Sequence, residues 1–253
     1  MKIAFHASPK PRAQHALEEL KNGHKHVEPE KADVIVVIGG DGTMLRALHK
    51  YQKLKTPLFG VNLGTLGFLL NSYDRDLDLK KRIKNAVSFT IHPLEMTVTD
   101  KNGQTCTELA FNEVSLIRET HNSAKIRVSV NDKVRLEELV CDGIMVSTTV
   151  GSTAYNLSAG GPILPLDSNL LPLTAISAFR PRRWSGALIR NNCEVTFDIL
   201  KAVERPVSAT ADAKEVRDVK TVRVRQSSAI TKTLLFDSDS PLEERIFKEQ
   251  FAV

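Results

Sequence analysis

The sequence has 253 residues, of which 42% are hydrophobic and 26% are charged, and this composition excludes the disordered and fibrous classes of protein. The formal net charge of +5 is spread along the chain, without the interleaved aromatic residues that are typical of single-strand nucleic-acid binders. No apolar run approaches the roughly 18 residues that span a membrane, so we expect a cytoplasmic protein with neither a membrane nor a nucleic-acid partner.

The first 88 residues alternate between apolar strands and amphipathic helices. The pattern predicts strands at residues 3–6, 34–38 and 58–61, and helices at residues 12–20, 43–54 and 77–87. Strands that are separated by single helices pair in parallel, and the ligands of such sheets bind at the carboxyl ends of the strands. We therefore expect a Rossmann-like α/β domain at residues 1–88, with its ligand site at that edge of the sheet.

A glycine-rich turn, GGDGT at residues 39–43, follows the second of these strands and opens a helix. Glycines let backbone N–H groups approach an anion closely, and the N-terminus of a helix carries a partial positive charge, so the turn is typical of phosphate binding. Asp41 is unexpected there, because phosphates repel a carboxylate. Its presence leaves three interpretations: proton abstraction, a metal contact or a helix cap.

A second glycine-rich segment, GVNLGTLGF at residues 60–68, follows the next predicted strand. The carboxyl ends of neighbouring parallel strands meet at one edge of a sheet, so this segment should lie beside Asp41. Asn62 and Phe68 are candidates for contacts with a nucleobase, although the sequence by itself favours a tight turn with Phe68 in the core.

From residue 89 onwards, alternating polar and apolar residues predict a β-rich domain that extends to residue 240. Strands are predicted at residues 90–91, 95–99, 108–117, 125–130, 144–149, 194–199 and 221–225. Turn-forming residues at 100–103 and 131–132 indicate hairpins. The segment at about residues 241–253 has the pattern of an amphipathic helix, whose apolar face must pack on another part of the protein.

Two polar segments of the β-rich part are candidates for ligand contacts. Asn112 and Glu113 interrupt an apolar strand, and a buried pair of this kind needs hydrogen-bonding partners such as ribose hydroxyl groups. Solvated side chains at a sheet edge are the alternative. The segment GSTAYNLSAGG at residues 151–161 combines hydroxyl groups, small residues and one aromatic ring, which favours a polar ligand. A helix cap at its start would explain only its first residues.

The sequences GGDGT at 39–43, NE at 112–113, DG at 142–143 and GSTAYNLSAGG at 151–161 have the order and spacing seen in bacterial-type ATP-dependent NAD kinases. The chain resembles this family over nearly its whole length. GGDG alone is shared with diacylglycerol kinases, sphingosine kinases and phosphofructokinases, whereas GSTAYNLSAGG after an NE strand is specific. The resemblance implies an α/β domain, a β-sandwich-like second domain, a C-terminal helix that returns to the first domain, and a homodimer or homotetramer.

The resemblance also implies an activity. The γ-phosphoryl group of ATP, bound with a divalent metal cation such as Mg²⁺, would be transferred to the 2'-hydroxyl of the adenosine ribose of NAD, which yields NADP. Asp41 would then be the general base, because a ribose hydroxyl is a poor nucleophile until a carboxylate takes its proton. Gly42 would shape the same turn, and Arg46 would contact the phosphates of the dinucleotide.

Other substrate contacts are implied by the family in the second half of the chain. Asn112 and Glu113 would contact ribose and adenine, Asp142 would contact the nicotinamide carboxamide, and Tyr155 would stack on the ligand. The remaining residues implied to line the dinucleotide are Thr153, Ala154, Asn156, Leu157, Ser158 and Ser177.

The chain departs from the family pattern at three places. Val140 stands where many relatives carry a basic residue, Lys214 where many carry glutamine, and Ser177 where many carry alanine. A ligand contact by Lys214 is therefore open, as is one by the basic turn at residues 180–183, for which a solvated surface is the alternative.

Two other functions stand beside the kinase interpretation. A lipid kinase of the diacylglycerol kinase type would need an apolar surface or amphipathic anchor that faces a membrane, and no segment fits that description cleanly. A non-catalytic module that senses NADP would gain little from a carboxylate beside phosphates, so Asp41 opposes it.

Overall fold

The computed structural model describes residues 1–64, 67–73 and 78–238. Its helices are α1 Pro11–Asn22, α2 Asp41–Lys50, α3 Leu79–Asn85 and α4 Tyr155–Ser158, and short 3₁₀ turns lie at Pro29–Lys31 and Val150–Thr153. Its strands are β1 Ile3–Ala7, β2 Val34–Gly39, β3 Leu58–Asn62, β4 Asn71–Ser72, β5 Val87–Ile91, β6 Leu94–Asp100, β7 Thr105–Ala110, β8 Glu113–Arg118, β9 Ala124–Val130, β10 Lys133–Cys141, β11 Gly143–Ser147, β12 Leu170–Ile176, β13 Gly186–Arg190, β14 Val195–Ile199, β15 Val207–Ala211, β16 Lys214–Val216, β17 Val219–Gln226 and β18 Lys232–Phe236. The helix predicted at about residues 241–253 lies outside the described residues.

The described chain divides into two compact units. The first comprises Met1–Ile91 together with residues 229–238, and the second comprises His92–Ser228. The sequence analysis expected residues 232–236 in the β-rich domain, whereas β18 belongs to the sheet of the first unit, between β3 and β5. An isolated strand at the far end of a chain carries no local signal for the sheet that it joins, because pairing partners are chosen by tertiary contacts.

The first unit is a mixed sheet with helices on both faces. Its order is β1-β2-β3-β18-β5, with β4 paired to β3, and only β5 runs antiparallel to its neighbour. The parallel pairing predicted for β1, β2 and β3 is confirmed. Helices α1 and α3 pack on one face, where Ala16 and Ile83 join a cluster with Val36 and Phe59. Helix α2 covers the other face, where Met44 packs close to Gly60.

The second unit is built from two antiparallel sheets of six strands each. Their orders are β10-β9-β14-β17-β6-β7 and β13-β12-β11-β8-β15-β16. Apolar residues of both sheets form one buried cluster, to which Phe197 and Val224 come from the first sheet and Leu116 and Val146 from the second. Two sheets that share one apolar interior form a sandwich. Both predicted hairpins occur, and Asn131 and Asp132 have the positive φ values, 49° and 60°, of a tight two-residue turn.

Helix α2 is shorter than predicted at its C-terminus, and a buried lysine contacts the chain just beyond it. It was expected to reach residue 54 but ends at Lys50. Lys232 is 1% exposed, and its Nζ donates to the carbonyl oxygens of Tyr51 (3.1 Å), Leu54 and Thr56 (3.3 Å). These carbonyls lie just beyond the helix, and Tyr51 O accepts from Leu54 N (2.9 Å) as well as from the ammonium group. Burial lowers the pKa of this ammonium group to about 8.

Two other predicted elements were wrong in their bounds. The helix expected at 77–87 is α3, which begins after Asp78. The Asp78 carboxylate accepts from Lys80 N at 2.9 Å and so caps the helix. Val87 lies instead in β5, which pairs with β18. The single strand expected at 108–117 is two strands, because the chain leaves β7 in one sheet and enters β8 in the other. Strands β4, β10, β12, β13, β15, β16 and β18 were not predicted.

Candidate active site

A cavity of about 380 Å³ lies in the first unit, at the carboxyl ends of β1, β2 and β3. This is the edge at which the sequence placed a ligand. The N-terminal residues of both α1 and α2 line the cavity, so two helix dipoles direct their positive ends towards it. The charged residues among its described lining are all cationic, namely Lys10, Arg12 and Arg46. The cavity therefore has the electrostatics of an anion site.

Glycines shape one wall of this cavity. A Cβ at Gly39 would lie 2.5 Å from the Thr43 hydroxyl, so the fold itself requires glycine there. A Cβ at Gly40 would meet nothing within 4 Å, and one at Gly42 would meet only the Arg46 guanidinium, at 3.9 Å. Gly40 has a negative φ, and Gly42 lies within helix α2. Any residue can adopt these two backbone conformations. The fold does not explain why Gly40 and Gly42 are glycines, whereas the close approach of a ligand would.

Asp41 is the first residue of α2, and its carboxylate is held by the loop that follows β3. Its Oδ1 accepts from Leu69 N (2.9 Å) and its Oδ2 accepts from Phe68 N (3.0 Å). The prediction that the second glycine-rich segment lies beside Asp41 is thereby confirmed. Asp41 is half-buried and does not cap the helix.

Asn112 and Glu113 lie in the second unit, where the chain crosses from one sheet to the other. The carboxylate of Asp212 accepts from the backbone N–H groups of Phe111 (2.7 Å), Asn112 (2.9 Å) and Glu113 (3.3 Å). Burial, and then the charge of Asp212, raise the pKa of Glu113 to about 7. The Glu113 Oε2 is buried and has no hydrogen-bond partner among the described residues. It is therefore ready to accept from a ligand.

The serine- and threonine-rich segment forms a short 3₁₀ turn and the helix α4, and its polar groups divide into two kinds. Asn156 is fully buried; its Nδ2 donates to Ser152 O (3.2 Å) and Pro162 O (2.9 Å), and its Oδ1 accepts from Thr174 (2.7 Å). All polar groups of this amide are used inside the protein. We therefore assign Asn156 a role in holding the segment, in place of the ligand contact that was expected.

The other predicted residues of this segment lie at or near its surface. Tyr155 and Ser158 are exposed, and the half-buried residues are Thr153, Ala154 and Leu157. Tyr155 as a whole residue is 37% exposed, and an exposed aromatic residue can stack on a ligand. These positions remain predicted ligand contacts.

Asp142 forms an ion pair that the sequence analysis did not predict. Arg118 Nε donates to its Oδ1 at 2.6 Å, and Arg118 also donates to Thr120 O. The Asp142 carboxylate is 44% exposed and keeps a second oxygen for other donors. Ser177 is exposed and has a positive φ of 49° at the end of β12. Lys214 and residues 180–183 are exposed too, so their side chains are open to solvent.

The structure thus assembles one group of predicted residues in each unit. Asp41, Gly42 and Arg46 lie on the first turns of α2, beside the cavity. Asn112 and Glu113 lie beside the segment after β11, since Thr148 N donates to Asn112 O at 2.8 Å. Sequence reasoning missed Lys10 and Arg12 in the cavity wall. Their position directly after the carboxyl end of β1 was the signal that could have identified them.

Sequence comparisons match the chain to two family models. Residues 2–79 match the ATP-NAD kinase N-terminal domain and residues 111–233 match the ATP-NAD kinase C-terminal domain. The chain is 50% identical to an NAD kinase of Caulobacter vibrioides over 251 residues, which cover 99% of this chain and 96% of that one. It is 52% identical to an NAD kinase of Rhizorhabdus wittichii over 254 residues, which cover 100% and 98% of the two chains.

Two solved structures share the fold. An NAD kinase from Archaeoglobus fulgidus in complex with ATP has a TM-score of 0.80 and 24% sequence identity, with 100% of both chains covered. A yeast NADH kinase complexed with NADH has a TM-score of 0.79 and 19% identity, with 100% of this chain and 87% of that one covered. At these identities the likeness concerns the mixed α/β fold.

Proposed function

We infer that this chain, which belongs to the NAD kinase family, transfers the γ-phosphoryl group of ATP to the 2'-hydroxyl of the adenosine ribose of NAD and so makes NADP. The observation that carries this proposal is the cationic cavity at the N-terminus of α2, whose first residue is a carboxylate, Asp41. Phosphoryl transfer needs an anion site and, close to it, a group that accepts the proton of the attacking hydroxyl.

The cavity would hold phosphate groups of the nucleotide substrates. Lys10, Arg12 and Arg46 offer cationic donors, and the helix termini add backbone N–H groups. The open space beside Gly40 and Gly42 lets phosphate oxygens approach the backbone of the turn. Arg46 is exposed and donates to Thr43 at 3.3 Å, a long bond that a phosphate would replace readily. These features support the contact proposed for Arg46.

Asp41 would act as the general base. Its two hydrogen bonds to Phe68 N and Leu69 N hold the carboxylate in one orientation, which favours proton transfer from a hydroxyl that is placed beside it. The proton of the 2'-hydroxyl would move to an Asp41 oxygen while the ribose oxygen bonds to phosphorus. The leaving group is then ADP.

Residues of the second unit would contact the dinucleotide. The unpartnered Oε2 of Glu113 can accept from a ribose hydroxyl, and the adjacent Asn112 offers an amide to the same sugar. Asp142, Tyr155 and Ser158 are placed with exposed polar or aromatic atoms, which supports their roles as contacts. Each of these substrate contacts is a separate proposal.

Mg²⁺ would enter with ATP as part of the substrate. Among the described residues, no group of three or more His, Cys, Asp or Glu side chains is arranged to hold a metal ion. This fits a cation that is bound mainly by phosphate oxygens and water. The cation would neutralise charge on the phosphates when bound.

We further propose that the protein is a homodimer or homotetramer in the cytoplasm. None of the described helices is long and apolar enough to cross a membrane.

The test is NADP formation by purified protein that is supplied with ATP, Mg²⁺ and NAD. Asp41→Asn should lower kcat by about 10²- to 10⁴-fold, the range of general-base catalysis, and should leave NAD affinity within a few-fold of wild type. Asp33→Asn is the matched control: Asp33 is an exposed aspartate of the same unit that also accepts a backbone N–H. Absence of NADP from the wild-type reaction would refute the kinase function. An active Asp41→Asn variant would refute only the role of Asp41.

A second measurement defines the substrates. Initial rates with ATP or polyphosphate, each against NAD or NADH, should be highest for the pair ATP and NAD. A higher rate with NADH would make NADH the preferred acceptor, and a higher rate with polyphosphate would make polyphosphate the preferred donor. In either case the reaction would still be a phosphoryl transfer.

A further inference from the structure

The three residues Phe111–Asn112–Glu113 are the place where the chain changes sheets. Strand β7 ends at Ala110 in one sheet and β8 begins at Glu113 in the other. A segment that leaves one ladder before it joins the next has backbone groups without ladder partners, and such groups are costly when buried. Phe111 is 1% exposed. The partners of these groups therefore decide how firmly the segment is held.

One side chain receives all three N–H groups of this segment. Asp212 Oδ2 accepts from Phe111 N, and Asp212 Oδ1 accepts from Asn112 N and Glu113 N, at 2.7, 2.9 and 3.3 Å. Hydrogen bonds to a charged acceptor are about twice as strong as neutral ones. Asp212 also donates its own N–H to Glu113 O at 3.2 Å.

The carbonyl groups of the same segment are held from the opposite side. Thr148 N donates to Asn112 O at 2.8 Å, and Ser147 Oγ donates to the same oxygen at 3.1 Å. Thr148 Oγ1 donates to Phe111 O at 2.7 Å. The segment is thus fixed on both sides, with Asp212 on one side and the end of β11 on the other.

Asp212 occupies the first position of the turn between β15 and β16, with a positive φ of 51°. The turn explains this backbone conformation, which Asp and Asn adopt more readily than other residues. It does not explain why the carboxylate points back at the segment 111–113, since an asparagine would serve a hairpin turn equally well. The carboxylate has a separate function.

We propose that Asp212 is a positioning residue: it acts through the backbone of residues 111–113 to hold the Asn112 and Glu113 side chains in place for the ribose of the dinucleotide. This inference rests on the proposed function, because those two side chains are assigned there to the NAD substrate. Asp212 itself bonds to backbone, and its effect reaches the substrate through its neighbours.

A second effect of Asp212 separates this role from a purely structural one. Its negative charge adds to burial in raising the pKa of Glu113. The residue opposite Glu113 on β11 is the uncharged Ser147, and the residue of β15 that precedes Asp212 is Ala211. Removal of the Asp212 charge should therefore lower the pH at which Glu113 ionises. A substitution that loosens the fold but leaves Glu113 buried would not move that pH.

The test measures the Kd for NAD by calorimetry between pH 5.5 and 8.5. An ionised Glu113 accepts hydroxyl groups best, so wild-type affinity should rise as the pH passes about 7. Asp212→Asn should weaken NAD binding roughly tenfold, because an amide oxygen replaces a charged acceptor. It should also lower the pH midpoint by roughly 0.5 to 1 unit, because one of the two causes of the shift is removed.

Asp218→Asn is the matched control. Asp218 also has a positive φ, 54°, but its carboxylate pairs with Lys101 on the surface at 2.9 Å. The two substitutions make the same chemical change in the same backbone conformation, but Asp212→Asn alters the contacts to residues 111–113 whereas Asp218→Asn alters a surface ion pair. Asp218→Asn should bind NAD as the wild type does, with the same midpoint.

Thr148→Val gives an independent route that does not depend on the folding of Asp212→Asn. It removes the hydroxyl that donates to Phe111 O and accepts from Gly151 N (3.0 Å), and it leaves every charge in place. It should weaken NAD binding and leave the pH midpoint unchanged. Wild-type affinity and midpoint in folded Asp212→Asn, or wild-type affinity in folded Thr148→Val, would overturn the inference. Because binding is measured apart from turnover, a wild type that makes no NADP would refute the proposed function and leave this comparison valid.

Discussion

Two glycines of the first unit and two of the second serve opposite purposes. In the first unit, a Cβ at Gly40 would find open space, and one at Gly42 would find only the Arg46 guanidinium at 3.9 Å. In the second unit, a Cβ would lie 2.1 Å from Asn112 O at Gly151, and 2.2 Å from Asn156 Oδ1 at Gly161. The open glycines leave room for something outside the chain, whereas the close ones let the chain pack against itself.

The difference shows how each unit prepares for a ligand. The first unit presents an open turn at the end of a sheet, where helix termini and cationic side chains already provide an anion site. The second unit builds its part from buried hydrogen bonds between distant segments, such as those of Asp212 and Asn156. We therefore expect substitutions in the first unit to impair activity with little effect on folding, and those in the second unit to impair folding as well.

The largest effect is expected for Gly151→Ala. The new methyl group would overlap the backbone of Asn112, which cannot move without breaking its bond to Thr148 N. The free energy of unfolding should fall by about 3 kcal/mol or more. Trp184 is the single tryptophan of the chain and packs against the core of the second unit, so urea denaturation followed by its fluorescence reports on that unit. Gly40→Ala should unfold as the wild type does. Equal stability of the two variants would remove the distinction between close and open glycines.

Gly42→Ala should have the next largest effect, on activity alone. Alanine favours a helix by up to about 1 kcal/mol over glycine, so the melting temperature should stay equal or rise. The methyl group enters the cavity wall, and we expect kcat/KM for ATP to fall about 100-fold, the cost of displacing a reacting group by about 1 Å. Gly23→Ala is the control, since a Cβ there meets nothing within 4 Å and Gly23 lies outside the cavity lining. Full activity of Gly42→Ala would show that the open space serves no ligand.

The smallest effect is expected for Glu113→Gln and concerns the pH dependence of stability. The pKa of Glu113 is raised from 4.5 to about 7, so the folded protein holds its proton more tightly than the unfolded chain does. The resulting stability is fully present below pH 4.5 and is lost as the pH rises through about 7. The loss should be on the order of 2 kcal/mol between pH 5 and pH 8, and Glu113→Gln should abolish it.

The control for this experiment is Glu137→Gln, whose side chain is 78% exposed. It should keep the wild-type pH dependence when both variants are followed by Trp184 fluorescence. If the stability of Glu113→Gln depended on pH as that of the wild type does, Glu113 would ionise as a solvated carboxylate does. A raised carboxyl pKa would then no longer distinguish the polar site of the second unit from that of the first.

Local sequence signals predicted the first unit well. Strands β1, β2 and β3 begin where expected and end one residue later, at Ala7, Gly39 and Asn62. These last residues lie at the carboxyl-end edge of the sheet, where the ligand site is expected. There the run of apolar residues ends one residue before the backbone hydrogen bonds of the strand do. The path of the chain after α2 was not predictable from its own residues, because Lys232, far along the chain, donates to the carbonyls of Tyr51, Leu54 and Thr56 just beyond the helix.

The candidate site follows the same division. Asp41 and Gly42 were identified because one short motif contains them, Arg46 because the family resemblance implies it, and Glu113 because a charged residue interrupts an apolar strand. Asp212 was not identified, since nothing in its neighbourhood reveals that it accepts three N–H groups from residues about 100 positions away. Arg118 was missed because its pairing with Asp142 arises only when β8 and β11 lie side by side.

The sequence by itself determined the α/β rhythm of the first unit, its glycine-rich turn and the family to which the chain belongs. These rest on periodicity, and on short motifs whose backbone requirements are local. The tertiary structure decided that β18 joins the first sheet, that the chain changes sheets at residues 111–112, and which side chains hold that crossing. Hydrogen bonds and charges between distant segments depend on which elements become neighbours, and only packing of the whole chain decides that.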